Sequence, residues 1–290
     1  MTQPFKTIAL IGKYNSPEIS EPLLRLAQFL VEREYAVLVA RQTAELIGTS
    51  NFLMANLSEI GGVADVAVVM GGDGTMLNIA RTLVEYNVPL IGINQGRLGF
   101  LTDVSIDTMF DTVAEMLNGE FSMENRILLN TEIWREGEKV FSACAFNDVV
   151  VGKGNTGRLI EIEVSIDGEF VNSQRADGLV VATPTGSTAY ALSAGGPLLH
   201  PTLEAIALVP VCPHTLSARP IAVNSHSVVE ITITYASDAR AHFDGQRHFD
   251  LVVGDKVIVR RAPNVVRLLH PVGHSYYDML RQKLHLGEKL

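Results

Sequence analysis

The 290-residue chain is poor in cysteine: Cys144 and Cys212 are its only two. Neither has a CxxC or zinc-type neighbour, so they read as free thiols of a reducing compartment rather than as a disulfide framework. Long hydrophobic runs are missing as well. The longest apolar stretches are short strands such as Val66–Met70, well below the roughly 20 residues of a membrane span. The opening MTQPFKTIALIG lacks a signal-peptide layout, and its apolar part reads as a first strand. Positive charge is in deficit, 23 Lys and Arg against 32 Asp and Glu, for a formal net charge of −9. Such a chain lacks the electrostatic footprint of a nucleic-acid binder, although a local basic patch can still hold a phosphorylated small molecule. There is no internal repeat and no low-complexity tract. A soluble cytoplasmic protein with no nucleic-acid and no membrane partner is the expectation these absences leave.

What is present is a 47% hydrophobic composition on a chain long enough for one large domain or two ordinary ones. The first part alternates strand and helix. Residues 7–11 (TIALI), Ala36–Ala40, Val66–Met70 and residues 90–93 read as strands. Residues 22–34 space Leu23, Leu26, Ala27 and Leu30 along one helical face, with Pro22 in the first turn. Residues 76–85 and 107–117 read as further helices, Gly119 standing just past the second. Repeated βα units imply an open, mostly parallel sheet.

Near Phe121 the texture changes to alternation. In residues 158–166 (RLIEIEVSI), Ile160, Ile162, Val164 and Ile166 share one face, and the run meets the hairpin signal Asp167-Gly168. Residues 228–234, 249–253 and 256–260 look similar, which makes a β-rich second domain of residues 122–270. The tail Tyr276–Leu284 is helical again and is expected to complete the first domain, residues 1–121, as part of 271–290.

The most informative stretch is VAVVMGGDGTMLNIAR, residues 66–81. A buried strand runs through Gly71, Gly72, Asp73, Gly74 and Thr75 into a helix. Glycines there allow a sharp turn and the close approach of an anion, and a helix N-terminus suits a phosphate. A turn capped by Asp73 would account for the same residues. The common phosphate-loop pattern Gly-x-x-x-x-Gly-Lys-Ser/Thr is absent. The run Gly-Gly-Asp-Gly-Thr instead resembles the signature shared by NAD kinases and diacylglycerol kinases.

Three further stretches are similar to NAD kinases in particular. They are GINQGRLGFLTD at 92–103, Asn147-Asp148 in CAFNDVVV, and SQRADGLVVATPTGSTAYALSAGGPLLHP at 173–201; PHTLSARP at 213–220 follows in the same order. The resemblance implies an α/β plus all-β fold. An N-terminal Rossmann-like, phosphofructokinase-like parallel sheet would be followed by a β-sandwich-like domain. It implies transfer of the γ-phosphoryl group of ATP to the adenosine ribose of NAD, in a homo-oligomer, dimer or tetramer. A ribose hydroxyl is a weak nucleophile at neutral pH, and a carboxylate within reach can take its proton, worth roughly 10²–10⁴ in rate. Asp73 is the candidate base. A divalent cation, Mg²⁺ arriving with ATP, supplies charge neutralisation without a dedicated cluster of protein ligands.

Asn147 and Asp148 place an amide beside a carboxylate, able to grip vicinal ribose hydroxyls; a polar strand end or an Asx turn is the plainer alternative. Thr188, Ala189, Tyr190 and Ser193 offer an aromatic face and small polar groups for an adenine pocket, while capping and core roles fit the same residues. By resemblance Asp177 lies near the nicotinamide end and Arg175 near the bound dinucleotide; Arg158 and the turn Asp244, Gln246, Arg247 also match family site positions. Gly152 to Gly157 fits a GxGxxG pattern, but a strand follows it, so it reads as a loop. His270 and His274 are four apart with Pro271 and Gly273 nearby, against a helix, and read as ordinary histidines. No metal-ligand set is expected. The rival readings are a lipid kinase sharing the glycine signature and a non-catalytic dinucleotide-binding regulator.

Overall fold

The computed structural model describes residues 5–14, 16–48, 51–155, 157–215 and 217–287. The chain divides into two units, residues 1–125 with 266–290, and residues 126–265.

In the first unit, β1 (Thr7–Gly12), β2 (Ala36–Ala40), β3 (Leu53–Ala55), β4 (Val66–Met70), β5 (Leu90–Asn94) and the short β6 (Val104–Ser105) form a parallel sheet. The order β3-β2-β1-β4-β5 reverses direction between β1 and β4, so the loops that follow these two strands diverge at their carboxyl ends. Strands β4 and β5 are buried at every residue because both faces are covered, which is why they read as continuous apolar runs. The helices α1 (Ser20–Val31), α2 (Arg41–Ile47), α3 (Leu57–Val63), α4 (Asp73–Leu83) and α5 (Met109–Leu117) cover them. On α1 the stripe Leu23, Leu26, Ala27 and Leu30 is fully buried in a cluster with Ile8, Leu10, Val68 and Ile91; each large side chain there contributes roughly 1.5–3 kcal/mol. Short α3 is held by a capping box, Asn56 with Glu59.

The second unit is antiparallel. It contains β7 (Phe121–Arg135), which begins in the first unit, then β8 (Glu138–Ala145), β9 (Asp148–Lys153), β10 (Ile160–Ile166), β11 (Glu169–Ala176), β12 (Gly178–Ala182), α6 (Tyr190–Ser193), β13 (Ala205–Val211), β14 (Ile221–Asn224), β15 (Val229–Tyr235), β16 (Ala239–Phe243), β17 (Arg247–Leu251) and β18 (Lys256–Pro271). Six strands make one layer, in the order β14-β13-β12-β9-β16-β17. The chain β11-β10-β15-β18, with β7 and β8, makes the other. Inward residues of both layers, among them Ile162, Val164, Val151, Val181 and Phe243, form one core. The opposite face of β12 and β13 packs Val180, Ala182, Ala207 and Val209 on Ala191 and Leu199.

The last residues of β18 belong to the first unit, where Leu268 pairs with Leu90 of β5 in parallel. Helix α7 (Tyr276–Leu284) follows, with Met279 and Leu280 buried. Its Lys283 ammonium donates to the Leu98 carbonyl at 2.7 Å. The fold class read from the sequence holds. Element ends moved: the helix expected at 76–85 begins at Asp73, with Gly72 as its cap residue, so Asp73 opens a helix rather than sitting in a loop. The strand expected at 256–260 runs on to Pro271.

Gly92 is where backbone packing is tightest around the 99–102 loop. A Cβ there would lie 2.9 Å from the Thr102 Cα and would overlap the Leu101 carbonyl oxygen. We expect Gly92→Ala to cost about 1–3 kcal/mol by overpacking, read as a fall of several degrees in Tm. Gly62→Ala, a control on α3 where nothing lies within 4 Å, should leave Tm unchanged or raise it. Equal melting of both variants and wild type would refute this account of the loop.

Candidate active site

Strand β4 delivers the glycine turn to the end of the parallel sheet. The Gly71 N–H donates to the Ile93 carbonyl of β5 at 2.9 Å, and the chain then enters α4 through Gly72. The Asp73 carboxylate is held by main chain alone among the described residues. Its Oδ2 accepts from the Phe100 N–H at 3.0 Å and its Oδ1 from the Leu101 N–H at 2.9 Å. Each oxygen keeps a second lone pair. Gly99 makes the approach possible, since a Cβ there would run into Asp73 Oδ1 and Thr102 Oγ1. Buried Asn94 fixes the loop: its Nδ2 donates to the Thr102 and Val104 carbonyls at 3.2 and 3.0 Å, and its Oδ1 accepts from the Gly96 N–H at 3.0 Å. The stretch GINQGRLGFLTD thus acts as the cradle of Asp73, a role its residue types did not announce. Asn94 was the available signal, an amide at the end of an apolar strand.

The second unit holds a cavity of about 460 Å³. The Asp244 carboxylate organises its floor. From the β16–β17 turn, at φ 52°, it accepts from the N–H groups of Phe146, Asn147 and Asp148 at 2.9, 2.7 and 3.1 Å. The Thr183 hydroxyl donates to the Phe146 carbonyl at 2.7 Å, and Gly186 packs bare against the Asn147 carbonyl. With its main chain so fixed, Asp148 turns a buried carboxyl into the cavity. Burial, with the Asp244 charge adding to it, pushes this carboxyl up to about 7. Across the cavity Lys153 pairs with Asp177 at 2.7 Å. Tyr190 leaves 45% of its surface exposed at the mouth; burial, then Cys212, Asp177 and Asp148, raise its hydroxyl above the usual value. His242 also lines the cavity; burial, then His248 and Arg240, lower its imidazole.

Of the residues singled out in the sequence, Asn147, Asp148, Asp177, Ala189, Tyr190 and Asp244 come together in this cavity. Gly71, Gly72, Asp73, Gly74 and Thr75 stand together in the first unit. The rest lie outside the cavity lining. Arg158 and Ser193 are exposed. Arg175 is exposed and lies 3.8 Å from Glu161. The Thr188 hydroxyl donates to the Thr185 carbonyl at 3.1 Å, closing a single 3₁₀ turn. Gln246 is exposed, and Arg247 lies over the Phe141 ring at 5.7 Å. Sequence reasoning passed over Lys153 and His242. Lys153 sat inside the discarded GxGxxG pattern, and His242 faces the cavity only because β16 pairs with β9.

The chain matches family models for two domains in succession, the ATP-NAD kinase N-terminal domain over residues 8–121 and the ATP-NAD kinase C-terminal domain over residues 146–270. An NAD kinase of Thiobacillus denitrificans is 61% identical over 290 residues, the whole of both chains. An NAD kinase of Nitrosomonas eutropha is 58% identical over 280 residues, 97% of this chain and 95% of that one. Among solved structures, the yeast NADH kinase complexed with NADH superposes with a TM-score of 0.91 at 26% identity, covering 100% of this chain and 90% of its own. An NAD kinase from Archaeoglobus fulgidus in complex with ATP gives 0.75 at 25% identity, over 96% and 98% of the two chains.

Asp148 provides a test that needs no ligand. Its folded value, about 7, lies above the ordinary 3.8. The folded state therefore holds the extra proton between the two, and the stability linked to it is complete below about pH 4 and lost as pH rises through about 7. At about 1.4 kcal/mol per unit the loss is at most on the order of 4 kcal/mol. Melting curves from pH 5 to 9 should show the wild type falling more steeply than Asp148→Asn, which keeps a neutral group there. Parallel curves would mean that Asp148 does not titrate in this range.

Proposed function

The chain belongs to the NAD kinase family, and on that premise we propose that it transfers the γ-phosphoryl group of ATP to the 2′-hydroxyl of the adenosine ribose of NAD, giving NADP and ADP, with Asp73 as general base. The observation that carries the role of Asp73 is its attachment to main chain instead of to a cation. The Phe100 and Leu101 N–H groups orient the carboxylate, and no Lys or Arg pairs with it among the described residues. Its remaining lone pairs are available to a hydroxyl proton. As that proton moves to the carboxylate, the ribose oxygen attacks the γ-phosphorus and the bond to the ADP oxygen breaks. The donor arrives as its Mg²⁺ complex, its charge spread over the metal, the Gly71, Gly72, Gly74 and Thr75 main chain and the N-terminus of α4.

The cavity supplies dinucleotide recognition. Asn147 and Asp148 hold ribose hydroxyls, Tyr190 with Ala189 takes a base edge and face, and Asp177, steadied by Lys153, accepts from the carboxamide. Arg158, Arg175, Thr188, Ser193, Gln246 and Arg247 complete the set as outer contacts, on family resemblance alone. A cytoplasmic homo-oligomer, dimer or tetramer, belongs to the same reading. A lipid kinase would share the glycine turn but not the second-domain runs GSTAYALSAGGP and SARP, and a non-catalytic binder would have no need of an oriented carboxylate.

Purified protein with NAD, ATP and Mg²⁺ should form NADP, read by a coupled dehydrogenase. Asp73→Asn should lower kcat at least about a hundredfold with the KM for NAD within about threefold. Asn turns an N–H₂ toward one loop N–H, so Tm is measured alongside. A folded variant with nearly full turnover would remove Asp73 from the role of base.

A further inference from the structure

The loop that holds Asp73 ends in a shielded carboxylate with two histidines on it. Asp103 stands just before β6. Its Oδ2 lies 2.9 Å from Nδ1 of His270, among the last residues of β18, and 2.8 Å from Nδ1 of His274, in the turn before α7. Pro271 and Gly273 exclude a helix here, as the sequence suggested, and the turn they make folds the second ring over the first. The ring centroids are 4.0 Å apart and the planes 14° from parallel. The other nitrogen of His270, Nε2, lies 3.2 Å from Oε2 of Glu124 on β7. All four residues belong to the first unit, and their side chains are largely withdrawn from solvent.

Counting protons leaves this cluster one well-satisfied state. A neutral imidazole carries one N–H, so a neutral His270 turns a lone pad of its ring electrons, the bare nitrogen, on one of its two carboxylates. One more proton gives each nitrogen an N–H and cancels one of the two negative charges. His274 has no use for such a proton. Charging it as well would stack two cations at 4.0 Å and bury an N–H at its Nε2, which has no hydrogen-bond partner among the described residues. Neutral, with its proton on Nδ1, it donates to Asp103. Burial alone would raise the Asp103 carboxyl, but the hydrogen bonds from His270 and His274 outweigh it and lower it to about 2. Asp103 is therefore charged at every working pH. Of the other charged groups close by in sequence or space, Asp278 of α7 pairs with Arg281, Lys283 donates to the Leu98 carbonyl, and Arg126, two residues along β7 from Glu124, donates to the Thr185 hydroxyl at 3.1 Å.

We propose that His270 is a positioning residue for the base: an imidazolium at neutral pH, it pins Asp103 and, through it, the Phe100 and Leu101 N–H groups that orient Asp73. The inference rests on the reading of Asp73 as the general base. Leu101, the donor to Asp73 Oδ1, stands two residues before Asp103. Asn94 braces this loop from β5. Toward α7 it has no comparable packing, because Leu98, Asp103, His274 and Met279 line a cavity of about 370 Å³ there. The histidine pair ties the end of the loop to β18 and to the turn before α7. When His270 gives up its proton to solvent, one ring nitrogen confronts a carboxylate and the charge-assisted bond to Asp103 is weakened or lost. The loop end is then released, and its two N–H groups no longer hold Asp73 in a single orientation. Turnover falls, while the binding of NAD, which rests on the second unit, does not.

The test follows the ring nitrogens by NMR in the full chain labelled with ¹⁵N-histidine, each ring assigned by through-bond transfer from its own backbone. At about pH 7 His270 should give the pattern of an imidazolium and His274 that of a neutral ring protonated on Nδ1. His270 should titrate above the ordinary value of about 6.5, and kcat should fall with the same midpoint while the KM for NAD stays within about threefold. Glu124→Gln removes one flanking charge and should move both midpoints down by about 1–3 pH units, a displacement that a merely structural role would not produce. His270→Gln should lower kcat about 10–100-fold at neutral pH and abolish the alkaline fall. If that variant does not fold, the wild-type spectra and Glu124→Gln decide. A neutral His270 at about pH 7, midpoints unmoved in Glu124→Gln, or full turnover in a folded His270→Gln overturns the proposal. A wild type that forms no NADP would sink the kinase reading instead, and the spectra report the charge on His270 in either case.

Discussion

The first unit turns on two hydrogen bonds, from the Phe100 and Leu101 N–H groups to the Asp73 carboxylate. They convert an ordinary helix-opening residue into an oriented acid. A carboxylate paired to arginine would be as well placed but would have its lone pairs committed and its charge balanced, which is poor preparation for accepting a proton. Backbone donors fix the carboxylate while leaving one acceptor site open on each oxygen. That choice imposes conditions on residues distant from Asp73 in sequence. The donor loop must approach the helix start closely, which requires Gly99; it must lie flat on β5, which requires Gly92; and it must be braced from behind, which Asn94 does through two carbonyls. Lys283 of α7 supports the same loop at Leu98.

The second unit repeats the device for a different end. Asp244 gathers three N–H groups of residues 146–148 and so acts as part of the framework. The Asp148 side chain has no such donors among the described residues and is pushed toward its neutral form by burial and by Asp244 itself. Two aspartates of the same wall are therefore held in opposite ways, one by main-chain donors and one by burial. From sequence both were candidate ligand contacts. The structure makes Asp244 the residue that presents Asn147 and Asp148.

How much was legible follows from what each signal encodes. The buried strand, glycine turn and helix around Asp73 were readable because sheet burial and turn geometry are local and leave a mark on nearby residue types. Alternation in Ile160, Ile162 and Val164 likewise announced one buried face of β10. The short helices α2 and α3 escaped notice because seven residues are too few for a helical period to show. The 12-residue stretch at 92–103 was recognised as a match without a role, since its work is done by main-chain N–H groups that any residue supplies. Partners brought together by pairing, such as His242 on β16 or His270 with Asp103 167 positions away, leave no local trace at all.

An anionic dinucleotide as the proposed ligand of an acidic protein raises an electrostatic objection, and the charges of the cavity are balanced group by group. Three aspartates line it, with Lys153 the one Lys or Arg among the lining residues. Asp244 is compensated by three main-chain dipoles, Asp177 by the Lys153 ammonium at 2.7 Å, and Asp148 by retaining its own proton near neutrality. Each carboxyl thus keeps its hydrogen-bonding capacity while little net negative charge faces the cavity. The formal charge of −9 is a property of the whole surface, and the field a ligand meets is set by how each buried group is individually neutralised. With the acids so balanced and Lys153 paired, what the cavity offers a ligand is hydrogen-bonding groups at fixed positions, the Asn147 amide and the Asp148 carboxyl among them, so that geometry more than charge sets its selectivity.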